Sequence, residues 1–151
     1  MPLLLAIEGN IGIGKSTLLN KLKQHYRNDS SVVFVDEPVD TWEEKGLLAA
    51  MYEDRISRCT FQLMALSTRF GPLLSAIASG ATTIITERSV FSDRACFAKV
   101  NLTAGSAGED AYAAAHDALC AALPPGISKA TILLEAPRAI LNRRIAKRGR
   151  E

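Results

Sequence analysis

An α/β sandwich with a mostly parallel sheet is the fold class the sequence predicts, on three observations. Short apolar, β-branched runs alternate with longer stretches of helical character. Each run ends at charged residues, and a glycine-rich turn follows the first of them. Residues 3–7 (LLLAI) form the first predicted strand, bounded by Glu8 and Gly9, and a helix is expected over 16–23. Residues 32–35 (VVFV) form the second strand, ending at Asp36, Glu37 and Pro38. A helical stretch over 47–74 carries Gln62, Leu66 and Arg69 at i, i+4 and i+7, which puts both polar groups on one face. Residues 82–86 form the third strand, closed by Glu87 and Arg88, and a helix begins near Ser89. The segment between Leu102 and Asp110 reads as a flexible loop, and 110–122 as an alanine-rich helix suited to close packing of the kind a dimer interface needs. Residues 131–134 form the fourth strand, and Pro137 fits the first turn of a last helix. In such a sheet, ligands bind beyond the carboxyl ends of the strands, where the glycine turn, Glu37 and Glu87 all fall.

A length of 151 residues suits one domain with one core. The sequence shows no repeat and no second domain. Mean hydropathy is close to zero, and no apolar run approaches the ~18 residues of a membrane span. The N-terminus lacks the basic region and cleavage site of a signal peptide, so a cytoplasmic protein is expected, without a membrane partner. Cys59, Cys96 and Cys120 are odd in number and lack CxxC spacing; they read as buried small hydrophobes in a reducing compartment. Net charge is +2, with six basic residues against one acid over 138–151. That field suits polyphosphates. With no zinc-finger spacing and no RNP-like stretch, nucleic acid is not the expected partner.

Gly9, Asn10, Ile11, Gly12, Ile13, Gly14, Lys15 and Ser16 match G-x-x-x-x-G-K-S, between a predicted strand and a predicted helix. In this motif backbone N–H groups turn inward around phosphate oxygens, and the helix N-terminus adds favourable partial charge. Lys15 is expected at the β and γ phosphates of ATP, with Ser16 as a ligand of Mg²⁺. Glu37, with Asp36 as its rival, is a carboxylate placed to take a proton from an attacking hydroxyl. Glu87 is a candidate holder of the metal or its water, and Arg88 a neutraliser of charge gained during transfer. Gln62, Arg69, Asp93 and Phe97 offer a polar edge and an aromatic face for a flat ring. Arg144, Arg148 and Arg150 form a basic cluster, with Arg144 and Arg148 four apart, that suits a lid closing over the triphosphate.

Taken together, IEGNIGIGKST (7–17), DEPVDTW (36–42), MYE (51–53), TFQ with Arg69, ERSVFSDR (87–94) and RIAKRGR (144–150) resemble the deoxyribonucleoside kinases. The resemblance implies a P-loop kinase-type three-layer sandwich on a five-stranded parallel sheet. It also implies phosphorylation of a deoxynucleoside 5′-hydroxyl from a nucleoside triphosphate, with Mg²⁺, by a homodimer. It extends the phosphate loop to Thr17, makes Glu37 the general base, and gives Glu87 and Arg88 the metal-side and phosphate-side roles. Trp42 resembles a wall of the nucleoside pocket, Tyr52 the ligand of the sugar 3′-hydroxyl, Gln62 the reader of the base edge, and Phe97 the ring stacked on the base. Arg69 and Asp93 resemble the pair of members that prefer deoxycytidine or purine deoxynucleosides, and the pair would fill the space a thymine methyl needs. Tyr52 and Gln62 stand ten apart where the family usually has eleven. On a continuous helix that spacing misses the shared face by about 80°, so either the helix breaks or Tyr52 is not the sugar ligand. Against the family pattern the chain is expected to end just after the lid, short of a C-terminal strand and the adenine-contacting loop. The alternatives are a nucleoside monophosphate kinase such as a thymidylate kinase, which usually shows a DR pair after strand 3, and a non-catalytic nucleotide-binding protein or fragment.

Overall fold

The four apolar runs pair in parallel into one sheet of order β2-β3-β1-β4 in the computed structural model, which describes residues 2–148 except the side chain of Arg148. The strands are β1 (Leu3–Glu8), β2 (Val32–Val35), β3 (Thr83–Glu87) and β4 (Ser128–Leu133). Leu3 pairs with Thr83 on one side and Ser128 on the other, so β1 is central and its residues are the most buried of the sheet. The third strand starts one residue later than its sequence signal, and the fourth three residues earlier. Ser128, Lys129 and Ala130 lack β-branched character but continue the register against Leu3, Leu4 and Leu5. Pairing with a central strand outweighs local propensity there. The family's fifth strand has no counterpart among the described residues.

Helix α1 (Lys15–His25) follows the glycine turn and seals one face, with Leu19 packed on Ile7 and Ile85 and all three nearly inaccessible. Helix α8 (Arg138–Arg148) runs past the same turn, with Arg144 Cβ and Ile145 near Gly12. The remaining helices are α2 (Val39–Glu44), α3 (Leu47–Tyr52), α4 (Arg58–Ala78), α5 (Val90–Ser92), a π-helical segment (Asp93–Ala98), α6 (Lys99–Asn101) and α7 (Ala107–Ala121). The parallel sheet flanked by helices is the expected P-loop kinase-type α/β architecture.

The chain divides into two compact units. One comprises residues 1–36, 76–89 and 127–151 and contains the sheet; the other comprises 37–75 and 90–126 and is helical. The helical unit has its own core of Trp42, Met51, Phe61 and Ala65.

Three sequence expectations are corrected. The stretch 47–74 is not one helix. It breaks after Tyr52, where Asp54 takes a left-handed φ of 53° and the amides of Arg55 and Ile56 both turn back to the Ala50 carbonyl. The segment before α7 is shorter than expected. Ser106 caps α7 by accepting the Glu109 amide, and the Glu109 carboxylate accepts the Gly105 amide, so helix begins at Ala107. The cysteines are not uniformly buried: none forms a disulfide among the described residues, Cys96 is exposed, and the other two are partly covered.

Candidate active site

The phosphate-loop motif occupies the turn from β1 into α1. Gly9 has φ 145° and lies so close to β4's trailing end that an added Cβ would stand 2.8 Å from the Leu134 carbonyl oxygen. Gly14 caps α1 in a left-handed conformation with φ 110°. Only glycine takes both positions without strain. Lys15 is buried, and its ammonium donates to the carbonyls of Gly9 (3.2 Å) and Asn10 (3.1 Å), curling over the loop. Ile11 projects from the loop's tip, and Ile13 is buried beneath it. Ser16 and Thr17 open α1 on its exposed side. Arg144 donates to the carbonyls of Gly12 (3.3 Å) and Ile13 (3.0 Å), so this arginine rests on the loop. Arg148 ends α8 but its side chain lies outside the described residues, as does Arg150.

The Ser16 hydroxyl donates to Glu87 Oε1 at 2.9 Å, joining the start of α1 to the end of β3. A hydroxyl and a carboxylate form an all-oxygen donor set of the kind Mg²⁺ takes when phosphates and waters complete its shell. These two residues fit the metal the resemblance implies. Arg88, next in the chain, has φ 64°, a conformation uncommon for a side-chain-bearing residue and one that marks functional turns.

Glu8 holds that turn. In the sequence it bounds β1 and falls within the IEGNIGIGKST run, with no role of its own marked. Its side chain is buried, with Oε1 accepting the Ser89 amide at 2.8 Å and Oε2 4.0 Å from the Arg88 guanidinium, while the Arg88 amide donates to the Ile7 carbonyl. Replacing Glu8 with Ala removes this charged acceptor of the Ser89 amide, and we expect a stability loss of about 1–3 kcal/mol in denaturant titrations.

In the helical unit a second cluster centres on Arg69 of α4. One guanidinium nitrogen donates to Glu37 Oε1 at 2.5 Å and another to Asp93 Oδ1. The guanidinium carbon lies 4.9 Å from the Trp42 ring centroid and 5.6 Å from that of Phe97, within cation–π range. Trp42 is fixed in turn by its indole N–H donating to Thr68 at 3.0 Å and by an edge contact with Phe61. The π-helical segment carries both Asp93 and Phe97, an irregularity frequent at functional sites. Burial pushes the Asp93 carboxyl above its ordinary range, against the opposing pull of Arg69 and of a hydrogen bond from Tyr112.

Gln62, also on α4, is 2% exposed, and its Oε1 has no hydrogen-bond partner. The same holds for Arg69 Nε. The i, i+7 spacing puts these two orphans, one acceptor and one donor, on the same helix face. Buried polar atoms without partners are rare, and their pairing here suits a ligand with a complementary polar edge.

The two acids at the end of β2 separate cleanly. Asp36 is exposed and paired with Lys23 at 2.6 Å, whereas Glu37 is nearly covered and tied to Arg69. Tyr52 stands exposed at the end of α3. Of the two outcomes that the spacing left open, the helix does break, and no continuous helix relates Tyr52 to Gln62. Tyr112, which sequence reading passed over in its alanine-rich helix, donates to Asp93 Oδ2 at 2.5 Å.

A family model described as deoxynucleoside kinase matches residues 5–151. Among curated proteins, the chain is 41% identical over 95 residues to a fowlpox virus protein named "Probable deoxycytidine kinase", covering 62% of this chain and 38% of that one. It is 33% identical over 117 residues to the mitochondrial deoxyguanosine kinase of Xenopus laevis, covering 63% and 43%. A third relative, named as a kinase in invertebrate iridescent virus 3, is 33% identical over 113 residues, covering 74% and 53%. The chain thus spans about 38–53% of the length of these relatives. Because the family model accounts for nearly all of the sequence, the chain belongs to the deoxynucleoside kinase family.

Proposed function

We propose that the protein transfers the γ-phosphate of ATP to the 5′-hydroxyl of a deoxynucleoside, with deoxycytidine or a purine deoxynucleoside preferred over thymidine. The observation that carries this reading is the Arg69 cluster. One buried guanidinium is shared by Glu37 and Asp93, and its own Nε and Gln62 Oε1, on the same helix face, have no partner and suit a base edge.

In this reading the phosphate loop from Gly9 to Thr17 holds the triphosphate, with Lys15 exchanging its loop carbonyls for β and γ phosphate oxygens. Arg144, Arg148 and Arg150 close over it. Ser16 and Glu87 hold Mg²⁺, which when bound neutralises charge on the phosphate oxygens. Glu37 accepts the proton of the 5′-hydroxyl as it attacks, and Arg88 stabilises the charge that builds on the transferring group. The nucleoside is held by Trp42, by Tyr52 at the sugar, by Gln62 at the base edge and by Phe97 on its face. Arg69 and Asp93 exclude the thymine methyl.

A homodimer belongs to the proposal. Ala107, Ala111, Ala114, Ala118 and Ala121 are exposed along one stripe of α7, a surface that permits close approach of a second helix. The proposed substrates are small molecules rather than nucleic acid, and the proposed location is the cytoplasm. No helix among the described residues is long and apolar enough to cross a membrane.

The test is monophosphate formation from ATP and Mg²⁺ with each of the four deoxynucleosides. Deoxycytidine, deoxyadenosine or deoxyguanosine should exceed thymidine in kcat/KM. Thymidine as the best substrate would overturn the role given to Arg69 and Asp93.

A further inference from the structure

Asp93 is the one member of the Arg69 cluster whose side chain has no solvent exposure at all, and its two carboxylate oxygens have different partners. Oδ1 takes Arg69 from α4, and Oδ2 takes the Tyr112 hydroxyl from α7. The last torsion of an aspartate is broad, so one bond would leave the carboxylate plane poorly defined. Two anchors from separate helices define it.

Tyr112 is itself held. Its ring stacks on His116 one turn later, with centroids 6.1 Å apart and planes at 27°. His116 Nε2 lies 3.1 Å from the Val90 carbonyl, and because that carbonyl only accepts, Nε2 carries the proton and donates. Val90 stands three residues before Asp93, as Tyr112 stands four before His116. Helix α7 is therefore tied to the Val90–Asp93 turn by two rungs, one ending on a backbone carbonyl and the other on the carboxylate. The Tyr112 hydroxyl cannot drift without breaking the stack or the His116 rung. Burial and the neighbouring Asp93 push the phenol's pKa far up, so it remains a donor at every working pH.

We propose that Tyr112 is a positioning residue for substrate selection: its hydroxyl locks the Asp93 carboxylate, and thereby the Arg69 guanidinium, in the orientation that discriminates among deoxynucleosides. The proposal rests on the reading of Arg69 and Asp93 as the base-selecting pair. Arg69 spends one nitrogen on Asp93 and one on Glu37, which leaves Nε–H as its buried open donor. Any rotation of Asp93 turns that donor away from its direction.

The experiment compares the wild type with Tyr112→Phe and Asp93→Asn. It measures kcat/KM for the best deoxynucleoside and for thymidine, with the KM for ATP as the internal reference. Tyr112→Phe should lower the ratio of best substrate to thymidine about tenfold, the scale of one hydrogen bond to a charged group, while the ATP KM stays within about twofold. A merely structural tyrosine would move both substrates and ATP together. A collapsed ratio in Asp93→Asn with an unchanged ratio in Tyr112→Phe would overturn the proposal and leave the base-selecting pair standing. An unchanged ratio in Asp93→Asn would remove the pair's role and the proposal with it.

Should Tyr112→Phe fail to fold, 3-fluorotyrosine at position 112 keeps ring and hydroxyl. Its ¹⁹F resonance is expected to move when the best substrate is added and to stay in place with ATP alone. A resonance unmoved by every deoxynucleoside would overturn the proposal.

Discussion

Glu37→Gln is expected to lower the phosphoryl-transfer rate at least ~100-fold, the scale of general-base catalysis, while leaving deoxynucleoside affinity largely intact. The substitution is nearly isosteric. Glutamine keeps an oxygen to accept the Arg69 N–H, so the cluster of Arg69, Asp93 and Trp42 retains its geometry. What it loses is the capacity to take a proton. Single-turnover rates and calorimetric nucleoside affinities separate the two effects. A near-normal rate would assign proton acceptance to another group, and Asp36, engaged with Lys23 on the surface, is poorly suited to replace it.

Asp93→Ala carries the second large effect, on stability. The carboxylate is buried against a buried guanidinium and a buried phenol, so its removal orphans the Tyr112 hydroxyl and leaves Arg69 with Glu37 as its remaining carboxylate partner. Breaking a buried ion pair by deleting one partner costs about 3–5 kcal/mol, and the retained Glu37 contact puts the expectation at the lower end, about 3 kcal/mol. Denaturant melts of the two proteins measure it.

The same residue gives a pH signature with a definite sign. Burial raises the Asp93 carboxyl above its unfolded value of 3.8, so the folded state binds this proton more tightly than the unfolded state does. The stability from that proton is fully present below pH 3.8 and is lost as pH rises through the elevated folded value. Asp93→Asn cannot titrate. The wild type's stability relative to Asp93→Asn should therefore fall as pH rises from about 4, and a difference that grows with pH would contradict the account.

The phosphate loop was legible in the sequence because its chemistry is local: glycines, lysine and serine at fixed spacing need no distant partner to be recognised. Glu87 and Arg88 were legible from their place at the carboxyl end of a strand. Arg69 and Asp93 were visible as a pair only through resemblance, since nothing in periodicity joins α4 to the π-helical segment. The tie from Arg69 to Glu37, which links the proposed base-selecting pair to the proposed general base, had no sequence signal at all.

Glu8 and Tyr112 were missed for related reasons. A glutamate ending a strand looks like punctuation until the Ser89 amide, 81 positions away, is found on its oxygen. A single tyrosine in an alanine-rich helix looks like core packing, and its ring is indeed buried; only the hydroxyl's partner distinguishes it. The continuous apolar pattern over 47–74 hid a break that rests on the left-handed Asp54 and two amides sharing the Ala50 carbonyl. The Glu8 and Tyr112 misses concern contacts between residues far apart in the chain, whereas the break is local and is set by backbone conformation rather than by apolar pattern.

The central claim, transfer from ATP to a sugar hydroxyl, is tested most directly by ³¹P NMR of the protein with ATP, Mg²⁺ and deoxycytidine or a purine deoxynucleoside. The account predicts ADP and a 5′-phosphate ester in equal amounts, the ester phosphorus coupled to the two 5′-methylene protons. ADP accompanied by inorganic phosphate with no ester would show a nucleotide-hydrolysing protein, and would contradict it.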